Sequence, residues 1–284
     1  MPDIKIALVY FSATEVTYNY VKIIQDGLLN RGCAVQEFNV TTYSSRQNRL
    51  AFDDFNGIIF GSPVFLDFAP SVINEWLPTL EGKGKKCAMF FTYGGRTTGY
   101  AHFHTKILLE QAGFGVLFSA EFLGRHSFNI GGWRVLPERP NAQDIAVAQE
   151  YSALADERFS QEATPILRLQ KPFGYNQVIA SLANSQKITK RSWINPVRIA
   201  GECSMCRNCE TNCPAQAFDA DTGLSDPGSC IGCMHCVYMC PDKAIKVDDM
   251  KGFYGAFLSN WHLTEEMMNA KQSRIITESW QAAS

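Results

Sequence analysis

The chain has 284 residues, with 26 Lys and Arg against 28 Asp and Glu, a formal charge of −2 and a hydrophobic share of 46%. That length allows about two domains, and the near-neutral balance, with no basic tail and no interleaving of aromatic and basic residues, argues against a nucleic-acid partner. No apolar run approaches membrane-spanning length and the opening MPDIKIALVYF lacks the basic lead of a signal peptide, so the expected setting is the cytoplasm, where thiols stay reduced.

In chain order, IKIALVYF is a continuous apolar run suited to a strand buried on both faces. The polar turn SATEVT follows, and then a helical pattern with Val16, Tyr20, Ile23, Ile24 and Leu28 on one face, closed by Gly32. Further strands are expected at CAVQEFNV, GIIFG, KCAMFFTY and GVLFSAEF, separated mostly by helical segments such as SVINEWLPTL and AHFHTKILLEQAG. Cys33 and Cys87 lie beside or within these strands and read as buried, unligated thiols. His102 and His104 alternate on a helix, so their side chains diverge and read as surface positions. A last amphipathic helix, from about Asn141 to Phe159 with Ile145, Ala148, Tyr151, Leu154 and Ala155 inward, completes a first domain over residues 1–160.

Strands alternating with helices predict an α/β fold whose parallel sheet is covered on both faces. Such sheets bind ligands beyond the carboxyl ends of their strands, so the loops after strands one, three and four are the places to search. In the first of them, the N–H groups of the helix start and the hydroxyls of Ser12, Thr14 and Thr17 can hold a phosphate without Lys or Arg; the same residues serve equally well as helix caps. GGRTTG, at Gly94 to Gly99, lacks the GxGxxG spacing after a first strand, and a nicotinamide site is not supported.

Residues 161–196 form a basic connector. No acidic residue occurs between Ala163 and Gly201, whereas Arg168, Lys171, Lys187, Lys190, Arg191 and Arg198 are positive. The segment either holds two anionic modules together or is simply a solvated face.

Cys203 to Pro214 reads CSMCRNCETNCP and Cys230 to Pro241 reads CIGCMHCVYMCP; together they hold eight of the ten cysteines. CxxCxxCxxxCP is the run of two-cluster ferredoxins, in which the fourth cysteine ligates the other cluster. Three cysteines at short, equal spacing can wrap one face of a cubane while a fourth arrives from elsewhere. The expected ligand sets are Cys203, Cys206, Cys209 and Cys240 for one [4Fe-4S] cluster, and Cys230, Cys233, Cys236 and Cys213 for the second. Zinc sites usually present paired CxxC units instead, and disulfides do not suit a reducing compartment. His235, inside the second run, reads as a neighbour that tunes potential, because thiolates already complete the set.

The repeat continues in CPAQAFDAD and CPDKAIKVD, which predicts two pseudosymmetric halves. Each proline is expected to open a short helix, followed by Ala217 and Phe218 or Ala244 and Ile245 as apolar residues. This small α+β module, residues 197–250, is too short to bury enough apolar surface alone and depends on its clusters to fold. The tail, residues 251–284, is too aromatic for disorder and is expected to pack back onto the body.

LVYFSATEVT resembles the phosphate-binding loop of flavodoxin-like proteins, GIIFGSPVFLDFAP their second flavin loop, and TYGG, Thr92 to Gly95, the third. The resemblance implies a doubly wound, five-stranded parallel sheet with FMN across these loops: Ser12, Thr14 and Thr17 at the phosphate, Ser62, Pro63, Val64 and Phe65 along one side of the isoalloxazine, and Thr92, Tyr93, Gly94 and Gly95 along the other. Glu15 stands where many members carry glycine, and its carboxylate weakens phosphate binding unless it faces solvent.

The whole resembles the EFR1-type flavodoxin-ferredoxin fusion family of mostly anaerobic microbes. That resemblance implies an electron carrier between two [4Fe-4S] clusters and FMN, coupling one-electron and two-electron redox partner proteins. Two rival readings stay open. One is an FMN-dependent reductase of a small molecule, with His126 or Arg125 as proton donor or anion clamp; the other is a non-catalytic docking module with structural clusters. No acid-base constellation singles out catalytic residues.

Overall fold

The structure is a computed structural model and describes residues 4–184 and 195–277. Five strands come first: β1 (Lys5–Tyr10), β2 (Ala34–Asn39), β3 (Gly57–Pro63), β4 (Lys86–Tyr93) and β5 (Gly115–Leu123). Four short ones follow, β6 (Val197–Arg198), β7 (Phe218–Asp219), β8 (Leu224–Ser225) and β9 (Ile245–Lys246), and then β10 (Arg274–Ile276). The first five are parallel and run β2-β1-β3-β4-β5, the flavodoxin-like doubly wound order, which reverses between β1 and β3.

The sheet has six strands where five were expected, because β10 adds antiparallel to the outer edge of β5. An uncovered edge strand is a template for unwanted pairing, and the tail closes this one.

The helices are α1 (Val16–Leu29), α2 (Tyr43–Gln47), α3 (Ser71–Trp76), α4 (Ala101–Gln111), α5 (Ala142–Ser160), α6 (Tyr175–Asn184), α7 (Asn208–Thr211), α8 (His235–Met239), α9 (Lys251–Asn260) and α10 (Glu265–Asn269). None of them is long and apolar enough to cross a membrane. Because strand side chains alternate between faces, each strand serves two cores. Ile6, Leu8 and Tyr10 pack with Tyr20, Ile24 and Tyr151 of α1 and α5. Ala7 and Val9 pack with Ile73 and Trp76 of α3 and Leu109 of α4. Burial on both faces is why the central strands read as unbroken apolar runs.

His102 is not at the surface. It is 0% exposed, on the inward face of α4 with Thr105 and Leu109. Its Nδ1 lies 2.7 Å from Ser119 Oγ and its Nε2 3.6 Å from Glu121, both on β5. Glu121 also accepts from Thr98 Oγ1 at 2.9 Å and from Arg274 Nε of β10 at 2.8 Å. Polar residues are mostly exposed, and that expectation failed here because the sheet supplies polar partners. His104, also expected outside, is half-buried, with Nδ1 2.8 Å from Tyr175 Oη.

Burial lowers the pKa of His102 from its ordinary value, although Glu121 opposes the shift. The unfolded chain then binds a proton, below a pH of about 6.5, that the folded chain refuses. Stability is therefore present above that range and lost as pH falls through it. The denaturant midpoint is expected to drop between about pH 7.5 and about 5.5, and His102→Gln to flatten the slope; an equal slope in the variant defeats this account.

Along α5 the inward stripe also differs from expectation: Ile145 and Leu154 are half-buried, and Asp144 and Ser152 are buried. Asp144 completes a capping box with Asn141 and also binds Arg139 Nη1 at 2.9 Å and Ser273 Oγ at 2.6 Å. A carboxylate so fully partnered is tolerated inside.

In the smaller module the sheet order is β7-β8-β6-β9, with Ala217, Phe218, Ala244 and Ile245 buried. Pro214 and Pro241 open turns, not helices. The helices α7 and α8 lie earlier, inside the cysteine runs, each after a left-handed residue, Arg207 (φ 59°) or Met234 (φ 62°). Of the connector, Leu167 is buried and its N–H donates to Val116 O at 2.8 Å. Lys187, Lys190 and Arg191 lie outside the described residues, as do residues 278–284 of the tail.

Candidate functional site

A cavity of about 320 Å³ opens at the carboxyl ends of β1, β3, β4 and β5, within the range of small-molecule sites. It lies where the strand order reverses. Ser12, Thr14 and Thr17 line it from the first loop, Pro63, Val64 and Phe65 from the loop after β3, and Thr92, Tyr93 and Gly94 from the end of β4.

The first loop is held by its own hydrogen bonds. Ser12 N–H donates to Thr41 Oγ1 at 2.8 Å, Ser12 Oγ accepts from Tyr18 N–H at 3.0 Å, and Thr17 Oγ1 lies 2.8 Å from Thr92 Oγ1. A hydroxyl that accepts one hydrogen bond still carries a proton to donate. The Thr17 and Thr92 pair uses one of its two protons internally. Together with the N–H groups at the start of α1, this donor set suits a phosphate.

Glu15 has φ 64°, the left-handed region that glycine adopts without strain. Its side chain is exposed and does not line the cavity. The backbone shape that glycine would supply is thus kept, and the carboxylate faces solvent.

After β3 the chain makes a two-residue turn. Phe65 and Phe68 exchange backbone hydrogen bonds of 2.7 and 3.2 Å around Leu66 (φ 49°) and Asp67 (φ 70°). Two non-glycine residues at positive φ store roughly 1–3 kcal/mol each, and such strain gathers at ligand-binding loops. Asp67 is held by an ion pair with Arg96 and by Tyr100 N–H, which donates to its carbonyl at 2.7 Å. The second and third loops are therefore locked together.

Two expected residues stand behind the wall. Ser62 lines an internal void with Phe60 and Phe91, and its hydroxyl donates to Pro63 O at 3.1 Å. Gly95 sits against Leu136 and Met268.

Other parts of the lining were not singled out as flavin contacts. The loop after β5 supplies Arg125 and His126, and α9 and the residue after it lay Phe253, Phe257 and Trp261 over the cavity. The spacing of these three aromatics marks one helical face in the sequence, but what they cover is visible only in the fold. Arg125 stacks on Tyr238 at 5.5 Å, and Arg96 on Trp261 at 4.2 Å. His126 Nδ1 accepts from Phe128 N–H at 3.1 Å, which leaves the proton of the neutral ring on Nε2.

The cysteines fall into two groups. Cys203, Cys206, Cys209 and Cys240 line one small cavity, the outer set. Cys236 lies within electrostatic reach of Cys233, Cys230 and Cys213, the inner set, and also of Cys209. Burial pushes the thiols of Cys233 and Cys236 up, so a soft cationic centre is needed to draw them into the thiolate form.

Backbone N–H groups point at the sulfurs in matching pairs. Met205 and Gly232 donate to Cys203 and Cys230 Sγ at 3.3 and 3.4 Å; Ala217 and Ala244 donate to Cys213 and Cys240 Sγ at 3.2 Å each. Among the described residues, no three His, Cys, Asp or Glu side chains converge to hold a single metal ion. Four of the eight sulfurs are thus met by backbone N–H donors, surroundings that suit the ligands of an iron-sulfur centre.

His235 joins the two regions. It is 7% exposed, and its Nδ1–H donates to the carbonyl of Ala13 in the first loop at 2.8 Å.

Residues 195–241 match the family of 4Fe-4S dicluster domains. No curated protein matches the chain. Among solved structures, a flavodoxin from the domain Archaea aligns with 56% of this chain and all of its own, at 17% identity and TM-score 0.41. Flavodoxin 2 from Bacillus cereus aligns with 54% of this chain and 98% of its own, at 16% identity and TM-score 0.40. The flavodiiron core from Synechocystis aligns with 55% of this chain but only 36% of its own, at 21% identity and TM-score 0.42.

Proposed function

We propose that this chain is an iron-sulfur flavoprotein that carries electrons between two [4Fe-4S] clusters, held by the inner and outer sets, and one FMN. It thereby couples one-electron and two-electron redox partners, and its thiols suit a reducing cytoplasm and anaerobic life. The observation that carries the reading is the seating of the inner set on the flavin-type loop, where His235 bonds directly to Ala13.

Bound in their places, FMN exchanges one or two electrons and each cluster exchanges one. The residues do the rest. Ser12, Thr14 and Thr17 give hydroxyl protons to the phosphate end, and Arg125 brings positive charge to the same cavity. Val64, Phe65 and Tyr93 offer apolar walls for a flat ring. Phe253, Phe257 and Trp261 add an aromatic wall on the outer side.

The cavity also supports a second reading, an FMN-dependent reductase of a small acceptor, with Arg125 gripping an anionic group and His126 Nε2 giving a proton. Steady turnover with a candidate acceptor supports that reading, and stoichiometric cycling alone supports the carrier. The test of both is anaerobic purification with assay of iron, sulfide and flavin. About eight irons and one FMN per chain are expected; zinc in place of iron overturns the proposal, and iron without flavin leaves only its ferredoxin half.

A further inference from the structure

The two cysteine sets sit in unlike surroundings. Residues 231–235 are all buried. Ile231 and Cys233 belong to the core that also packs Val64 and Phe65, and Met234 packs with Tyr93 and Trp133. In the outer set Cys206 is exposed, as are its neighbours Met205 and Arg207.

Beside the inner set lies a buried cation. Arg46 of α2 is 7% exposed; its Nη1 donates to the carbonyls of Val40 at 2.9 Å and Thr41 at 2.8 Å, and its Nη2 to the carbonyl of Pro214. Pro214 directly follows the ligand Cys213. The charge of Arg46 bears on Glu75, then on Cys213 and Cys233. Glu75 is exposed, so water screens its opposing charge.

A guanidinium does not lose its proton in proteins, and three carbonyls fix this one in place. Charge, hydrogen bonding and solvent exposure around the ligand sulfurs set a cluster's reduction potential; burial by itself holds the inner set lower, and a fixed cation opposes it by favouring the more negative, reduced state. The outer set has two arginines nearby, but Arg207 is exposed and already paired with Asp221 and Glu210. Arg198, half-buried in the small cavity of that set and donating to Met205 Sδ at 2.9 Å and the Asp221 carbonyl at 3.1 Å, shares the cavity with the carboxylate of Asp242.

We propose that Arg46 is a positioning residue for charge: it makes the inner cysteine set the more easily reduced of the two, so that electrons entering at the exposed Cys206 face run inward to the Ser12–Thr17 loop. This rests on the iron-sulfur flavoprotein reading. The donor is a one-electron carrier protein docking at the outer set. Each passage oxidises that carrier by one electron and reduces the chain by one; two passages, with two protons from solvent, match a two-electron acceptor.

The test is a potentiometric titration of the anaerobic holoprotein followed by electron paramagnetic resonance, with Cys206→Ser identifying the outer signal. In the wild type the inner signal titrates at the higher potential. Arg46→Gln shifts the inner equilibrium at least tenfold toward oxidation, about 59 mV for a one-electron couple, leaves the outer unchanged, and Arg46→Lys restores most of the loss. Equal shifts at both signals, no shift, or an inner signal that titrates below the outer in the wild type overturns the inference. The wild-type order and Arg46→Lys keep the test decisive where Arg46→Gln does not fold. Absence of iron or flavin from the preparation overturns the function proposed above; two clusters and a flavin indifferent to Arg46 overturn this inference alone.

Discussion

Replacing Cys233 with alanine is expected to remove at least half of the iron and to destabilise the module that spans residues 197–250. Its strands are two residues long, and its own core is little more than Ala217, Phe218, Ala244 and Ile245. A domain of that size lacks the burial to fold alone. The loss spreads into the larger domain, because Ile231 and Met234 lie wedged in its cores. Each such side chain contributes about 1.5–3 kcal/mol when buried. The readouts are iron and sulfide content and protease sensitivity between Val197 and Met250. Cys87→Ala, at a buried cysteine in β4 outside both sets, serves as the control, with iron unchanged. A Cys233→Ala protein with its full iron defeats the ligand assignment.

Gly94→Val is expected to weaken flavin binding at least tenfold, about 1.4 kcal/mol, with iron content unchanged. A Cβ on Gly94 would lie 2.6 Å from His126 Cδ2. The imidazole has little room to retreat, since Trp133 and Phe128 flank it at 4.8 and 4.9 Å between ring centroids. The added side chain therefore pushes the loop into the cavity that Gly94 lines. Gly201→Ala, where an added Cβ meets nothing within 4 Å, is the neutral comparison. Flavin retained per folded chain after gel filtration measures the effect, and a Gly94→Val protein that holds flavin as tightly as the wild type removes Gly94 from the site.

The strands and the cysteine groups were legible because their signals are local. An unbroken apolar run points to a strand buried on both faces, and a repeated cysteine spacing points to a 4Fe-4S domain, the family that residues 195–241 match. What escaped depends on partners distant in sequence. His102 looks like a surface histidine until β5 brings Ser119 and Glu121 beneath α4. Arg46 lies in a short polar segment, YSSRQ, with nothing beside it to suggest burial; the carbonyls of Val40, Thr41 and, from the docked module, Pro214 give the guanidinium a reason to be inside. The prolines after each run mark a break in the chain, and sequence alone does not say whether a helix lies before or after it. Asp144 shows the same limit on α5, where a carboxylate replaced an isoleucine on the inward face because Arg139 and Ser273 meet it there.

The strand that finishes the large sheet follows both cysteine runs in the chain. During synthesis at about 5–20 residues per second, β5 therefore waits roughly 8–30 seconds with a bare flank, and in that interval the cysteine-rich segment emerges. Topology thus imposes an order of emergence: the sheet is sealed only after both cysteine runs have left the ribosome, and until then its outer edge is a template for pairing with other chains.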